Sequence, residues 1–272
     1  MAQVTSTTVT EASASDVYFI SDAHLGSGSD SLDRERQLCR LLDSLFLQPP
    51  KPSDNQSGVQ PKLLLLGDIF DFWFTYRHLV PRGHTRLLGK LAELADSGVE
   101  IHFFTGNHDM WMFDYLTKEI GAVLHEEPTV MDLCGKRLLV GHGDGLGHTD
   151  RGFDFVRFFF RSHFCHRLFK MLPSALTFGI AHRWSDSNKR KHARRDLLHY
   201  LGDDREGIVI YIKQRLQKEH FDYCIFGHRH TPLVKVFGDT TYVNTGDWFH
   251  NRNYAVLHPD GTLQLLDYKT GN

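Results

Sequence analysis

Five short apolar runs punctuate this chain, and each stops at polar residues of a restricted kind. VYFIS (17 to 21) runs into Asp22-Ala23-His24, KLLLLG (62 to 67) into Asp68, and IHFFTG (101 to 106) into Asn107-His108-Asp109. RLLVG (137 to 141) runs into His142, and YCIFG (223 to 227) into His228-Arg229-His230. Lacking polar alternation, these runs predict central strands covered on both faces. Between them, residues 32 to 47 set Leu38, Leu41, Leu42, Leu45 and Phe46 on one stripe, which predicts a helix. Residues 85 to 97, stopping at Gly98, and residues 205 to 219 repeat the pattern. Residues 49 to 61, PPKPSDNQSGVQP, predict an exposed loop. Beyond residue 232, VKVF, TTYVNTG, YAVLH and TLQLLDY read as antiparallel strands, with turns at Gly238-Asp239 and Asp260-Gly261. The plan is an α/β chain: strands and helices in alternation, then a helical insertion, then mostly strands.

In open α/β sheets ligands bind beyond the carboxyl ends of the strands, and all five polar clusters sit at such ends. They are expected to converge. In an extended strand residues i and i+2 point the same way, so His228 and His230 are expected to project together. Singly, a G-D, G-N-H or G-H is most often a turn. In series, Asp22, His24, Asp68, Asn107, His142, His228 and His230 are too many donors for one zinc ion. They suit two divalent ions about 3.5 to 4 Å apart with a shared carboxylate. Mixed oxygen and imidazole donors suit manganese or iron at least as well as zinc, and Mn2+ is the first expectation. Glycines before Asp68, Asn107, His142 and His228 are expected to let backbone approach the ions. His108 is spare in the donor count and is placed to donate to a phosphate or a leaving oxygen, with Asp109 read equally well as its orienting partner or as a loop aspartate forming a turn. Asp71, further along the same segment as Asp68, is expected to matter far less.

The 272 residues suffice for one sizeable domain with an insertion, and the net charge of −2 is near neutral. That total hides an asymmetry. Residues 151 to 205 hold twelve Lys and Arg against five Asp, a balance of +7, and eight of the 20 phenylalanines. A segment both basic and apolar is suited to an anionic, partly apolar partner, although charge runs usually mean no more than solvation. The four cysteines show no C-x-x-C spacing, so buried thiols in a reducing cytoplasm are expected. Residues 1 to 15 lack the pattern of a signal peptide and are expected to be a frayed, disordered tail. No apolar run approaches the roughly 18 residues of a membrane-spanning helix.

The series D-x-H, G-D, G-N-H-D, G-H and G-H-x-H resembles the calcineurin-like metallophosphoesterases, in order from Asp22 to His230. The resemblance implies a four-layer αββα sandwich of two mixed sheets. It also implies that Asp22, His24, Asp68 and His230 hold one metal, and Asp68, Asn107, His142 and His228 the other, with Asp68 bridging. GDIFDFW (67 to 73), HGDGLGHTD (142 to 150) and TGDW (245 to 248) narrow the likeness to the bacterial UDP-2,3-diacylglucosamine diphosphatases of lipid A synthesis. These cut a pyrophosphate to release UMP and a diacylated sugar 1-phosphate. The division implied is a core of residues 16–150 and 206–272, with residues 151–205 as a helical lid holding the acyl chains. By matching through the insertion, Asp150, Asn188, His192 and Arg195 fall at substrate-binding positions, with Asn107, His108 and His228 beside the phosphates. His108 stands where the best-known members carry arginine.

Such an enzyme would be cytoplasmic and peripheral at the inner face of the inner membrane, where its nucleotide-linked diacylglucosamine lipid resides. A broad phosphodiesterase or nuclease would use the same metals and grip nucleic acid with the basic insertion. FVRFFF and HFCHRLFKML look instead like apolar helix faces with snorkelling cations, so nucleic acid is not expected. A non-catalytic scaffold would lose ligands, and none is missing.

Overall fold

Apolar strands need cover on two sides, and alternate residues of the first strands divide between two cores. The computed structural model describes residues 9–10, 15–47, 61–147, 163–172, 179, 200 and 202–269. In β2 (Val17–Ile20) and β3 (Lys62–Leu65), Val17, Phe19 and Leu64 face one way, and Tyr18, Ile20, Leu63 and Leu65 the other. The second set packs under α1 (Ser31–Phe46) and α2 (Thr85–Asp96), through Leu38, Leu41 and Leu42 of one helix and Leu87, Leu91 and Leu94 of the other. The first set meets a second sheet.

The sheet containing β2 and β3 continues in parallel through β4 (Glu100–Phe104) and β5 (Val123–His125). On its other side the antiparallel β11 (Asn253–Leu257) and β12 (Leu263–Asp267) complete six strands. The facing sheet contains β1 (Val9–Thr10), β6 (Thr129–Leu133), β7 (Lys136–Gly141), β8 (Tyr223–Phe226), β10 (Thr240–Thr245) and β9 (Pro232–Phe237), in that spatial order. Met131, Leu133, Leu138, Val140 and Ile225 of this sheet close on Val17, Phe19, Leu64 and Leu66 to form the core between the sheets. On the outer face, Leu139, Cys224, Phe226 and Tyr242 are covered by Ile208, Val209 and Ile212 of α5 (Gly207–Leu216). The layers are therefore helix, sheet, sheet, helix. A short α3 (Tyr115–Glu119) precedes β5.

Three strands escape the apolar-run pattern, because β1, β5 and β6 are short or mix polar with apolar residues. The strand β1 lies within the stretch expected to be a frayed tail, where Val9 and Thr10 pair with Met131 and Asp132. The C-terminal strands are not all antiparallel, since β10 runs parallel to β8 with Thr241 opposite Tyr223. The reason is that β9 folds back on the outer side of β10, leaving β8 and β10 as neighbours of one direction. The proline-rich stretch of residues 49 to 61 lies, apart from Pro61, outside the described residues. Among the described residues of the 151–205 segment, α4 (His163–Met171) docks Cys165 and Phe169 on a cluster containing Phe74 and Trp111. Among the described residues, no helix is long and apolar enough to cross a membrane.

The core between the sheets carries stability that the rim does not. Leu64→Ala, at a site with no exposure, is expected to cost about 2–5 kcal/mol. Val236→Ala, at a position 64% exposed, should stay within about 0.5 kcal/mol. Urea unfolding of both variants checks the contrast.

Candidate metal centre

Parallel pairing does not stop where the strands end. Asp22 N–H donates to the Gly67 carbonyl at 3.1 Å, His24 N–H to Asp68 O at 2.9 Å, and Leu25 N–H to Ile69 O at 2.9 Å. The loops after β2 and β3 are thereby zipped together. In the facing sheet, Gly227 N–H donates to His142 O at 3.0 Å and joins the loops after β7 and β8. The two sheets meet where His228 N–H donates to Asp22 Oδ2 at 2.9 Å, and within the first sheet His108 N–H donates to Asp68 Oδ1 at 2.8 Å. Two glycines make the approach possible. A Cβ on Gly106 would lie 2.2 Å from Asp68 Oδ1, and one on Gly227 would lie 2.6 Å from Asp22 Oδ2. The glycines thus admit carboxylates to backbone, a purpose different from the expected approach of backbone to ions.

The side chains form two groups around one carboxylate. Asp22, His24 and His230 converge in the first, with His230 Nε2 3.3 Å from Asp22 Oδ1 and 3.2 Å from His24 Nε2. Asp68, His142 and His228 converge in the second, with His142 Nε2 3.4 Å from Asp68 Oδ2. That same Asp68 Oδ2 is 3.8 Å from His24 Nε2, so Asp68 stands between the groups. Four buried atoms of these residues have no hydrogen-bond partner: Asp22 Oδ1, His24 Nδ1, Asn107 Oδ1 and His142 Nε2. Unpaired buried polar atoms are costly, and Asp22 Oδ1, Asn107 Oδ1 and a deprotonated His142 Nε2 are donors a cation would satisfy. His142 Nδ1 donates to Leu66 O at 2.7 Å, which turns Nε2 toward Asp68.

Backbone strain is concentrated on the same residues. Asp22, His24, Asp68, His228 and His230 all have positive φ, between 43° and 69°. Such conformations cost side-chain-bearing residues of order 1 kcal/mol each and persist only where the surroundings impose them. His228 and His230 therefore do not share a strand. β8 ends at Phe226, and left-handed backbone at each histidine, with Arg229 between them, sends the two rings to different groups.

The cluster is electrostatically coupled. Burial opposes charge on Asp68, but His142 and His108 outweigh it and hold the carboxyl well below the usual range. Burial likewise opposes charge on His142, yet Asp68 and Asp22 push it up to about 10. His228, buried beside that charge, is pushed down to about 4. A proton retained by His142 is one that metal binding must displace.

Asp109 is not the partner of His108. Its carboxylate accepts from Gly106 N–H at 2.7 Å, Ile69 N–H at 2.9 Å and Phe70 N–H at 3.4 Å, which clamps the loops after β3 and β4 together. Burial, and then Asp68, raise its carboxyl to about 7. His108 Nδ1 instead donates to the Asp71 carbonyl at 2.8 Å. The Asp71 carboxylate, itself buried, lies 3.5 Å from His24 Nδ1 and 3.8 Å from His108 Nδ1. Asp71 thus takes the orienting place expected of Asp109, and its importance was underrated. A carboxylate within the apolar run GDIFDFW was the available signal, since buried charges are seldom idle. Asp247 of TGDW, fully buried and 3.8 Å from His230 Nδ1, is a second residue without a sequence-derived role. Asp150, Asn188, His192 and Arg195 lie outside the described residues.

Two sheets between helices, with this donor cluster at their shared edge, define a class that the comparisons identify. The chain belongs to the calcineurin-like phosphoesterase family, whose sequence profile matches residues 15–232. Membership makes it a hydrolase of phosphoric esters that works with divalent metal ions, for which the clusters above are candidate sites. Over 93% of its length the chain is 38% identical to a UDP-2,3-diacylglucosamine hydrolase of Porphyromonas gingivalis, of which it covers 97%. It is 30% identical over 76% of its length to a protein of that name from Photorhabdus laumondii, covering 85% of it. A third, from Neisseria meningitidis, is 27% identical over 90% of this chain and 94% of that protein.

Removing the clamp and removing the rim histidine should have opposite signatures. Asp109→Ala strands three backbone N–H groups and is expected to cost about 2–4 kcal/mol in urea unfolding. His108→Ala loses one hydrogen bond, should cost under about 1.5 kcal/mol, and should leave metal content measured by elemental analysis at the wild-type level.

Proposed function

We propose that this chain hydrolyses the pyrophosphate of UDP-2,3-diacylglucosamine, releasing UMP and 2,3-diacylglucosamine 1-phosphate for lipid A synthesis. The observation that carries the reading is the convergence of Asp22, His24 and His230 in one group and Asp68, His142 and His228 in another, with the buried Oδ1 of Asn107 left unpaired. Substrate identity rests on the 38% identity, across nearly the whole of both chains, to a relative of that name.

Asp22, His24, Asp68 and His230 would hold one ion, and Asp68, Asn107, His142 and His228 the other, with manganese the first choice. When bound, such ions activate water near neutral pH and offset charge on phosphoryl oxygens. The protein's part is to fix the donors and the substrate. Asp71 and Leu66 offer carbonyls that hold the rings of His108 and His142 by Nδ1, so Nε2 of each faces the reaction. His108 would donate from Nε2 to a phosphoryl or leaving oxygen. Asn107 and His228 border the same phosphates.

Residues 16–150 and 206–272 then make the catalytic core, and 151–205 the lid over the acyl chains. Asp150, Asn188, His192 and Arg195 would contact the headgroup. The +7 balance of the insertion and its phenylalanines suit a peripheral enzyme working at an anionic inner-membrane surface from the cytoplasm.

Manganese-loaded protein should release UMP from UDP-2,3-diacylglucosamine and stop when a chelator is added. Asp68→Ala is expected to lower turnover by at least about a hundredfold with loss of bound metal, both measured on the same preparation. Replacing Phe158 and Phe159 by serine should impair the lipid substrate at least about tenfold more than a small chromogenic phosphodiester. Cleavage of single-stranded nucleic acid in preference to the lipid would overturn the assignment.

A further inference from the structure

Arg229 stands between the two histidines of the turn after β8, yet its guanidinium does not join them. Its Nη2 lies 2.8 Å from Glu206 Oε1, and the two side chains are only 16% and 5% exposed. They meet in a pocket lined also by Val209, Leu233, Tyr242 and Asn244, none of which belongs to the donor clusters. A buried ion pair is not in itself a source of stability, since desolvation offsets its attraction, but removing one partner leaves a charge stranded. Its place in the chain therefore needs another reason.

Glu206 immediately precedes α5, and its carbonyl accepts the Ile210 N–H at 2.9 Å. The first residues of α5 press on the loop that follows His142. A Cβ on Gly147 would lie 2.0 Å from Gly207 O, and one on Gly143 would lie 2.6 Å from Ile208 Cδ1. The ion pair therefore ties the turn carrying His228 and His230 to the helix end against which the His142 loop is packed. That turn has φ of 69° at His228 and 55° at His230, so it must be held from outside. Arg229 N–H also donates to Gly227 O at 2.8 Å, which keeps the turn tight on its own backbone.

We infer that Arg229 is a positioning residue: through Glu206 it holds the strained turn so that His228 stands beside His142 and His230 beside His24, and thereby sets metal affinity. The inference rests on reading these histidines as metal donors. Residues that orient metal ligands from outside typically change affinity by about 10- to 100-fold when altered. A pair serving only to stabilise the fold would lower the melting temperature and leave affinity untouched.

The test titrates metal-stripped protein with MnCl2 by calorimetry, beside melting curves of the stripped chains. Glu206→Gln keeps the size and an acceptor oxygen while removing the charge. Arg229→Lys keeps the charge and loses the guanidinium, and it carries the test if the first variant does not fold. Wild type should bind two Mn2+, and Glu206→Gln should bind at least one of them about tenfold or more weakly. Arg229→Lys should show a loss of about threefold or more. Wild-type affinity for both ions in either variant, whatever its melting temperature, would overturn the inference and leave the metal reading intact. A wild-type chain that takes up no Mn2+ would remove the metal reading and this inference with it.

Discussion

A carboxylate almost wholly withdrawn from solvent governs the carboxyl edge of the two sheets. Asp68 is 1% exposed and comes from the loop after β3 in one sheet, while His142 beside it comes from the loop after β7 in the other. A buried charge is tolerated only when paired and hydrogen-bonded. The His108 amide and the rings of His24 and His142 meet that need from three other loops. The packing of the sheets and the assembly of the cluster are therefore one event. Leu64 and Val140, in the core between the sheets, hold the strands whose ends carry Asp68 and His142.

The cost of this arrangement is visible in the backbone. Five donor residues adopt left-handed conformations, although none is glycine, and glycines stand where neighbouring backbone must pass close to a carboxylate. Strain of this kind survives because the loops are fixed from several sides. Asp109 gathers amides from two loops, and Ser21 and the His228 amide both meet Asp22. Trp248 N–H donates to Asp22 O, and its indole packs in the core beneath the helices. A cluster so constrained loses little freedom when it takes up a cation, which favours binding to a preformed site.

Much of the cluster was legible in the chain because its residues follow a local rule. Each apolar run of four to six residues ends at a polar group, and an open sheet places such groups along one edge. The rule does not reach residues whose role depends on what lies across from them. Asp71 reads as a loop aspartate until His24 and His108 are seen on either side of it. Asp109 reads as a partner for its neighbour His108 until its carboxylate is seen turned toward Gly106 and Ile69. Arg229 reads as a spacer between histidines until Glu206 appears against it.

The sequence by itself determined the central strands, the covering helices and the candidate donors at the strand ends, because periodicity and the break from apolar to polar are written along the chain. It also carried the likeness to a family, since the five motifs keep their order. Only the tertiary structure decided that β10 runs parallel to β8, that β1 pairs with β6, and that His228 and His230 turn to different groups. Those features depend on which backbone is the neighbour and on torsion angles that a residue's identity does not fix. A histidine adopts a positive φ only because the opposing loops leave it no other place to put its ring.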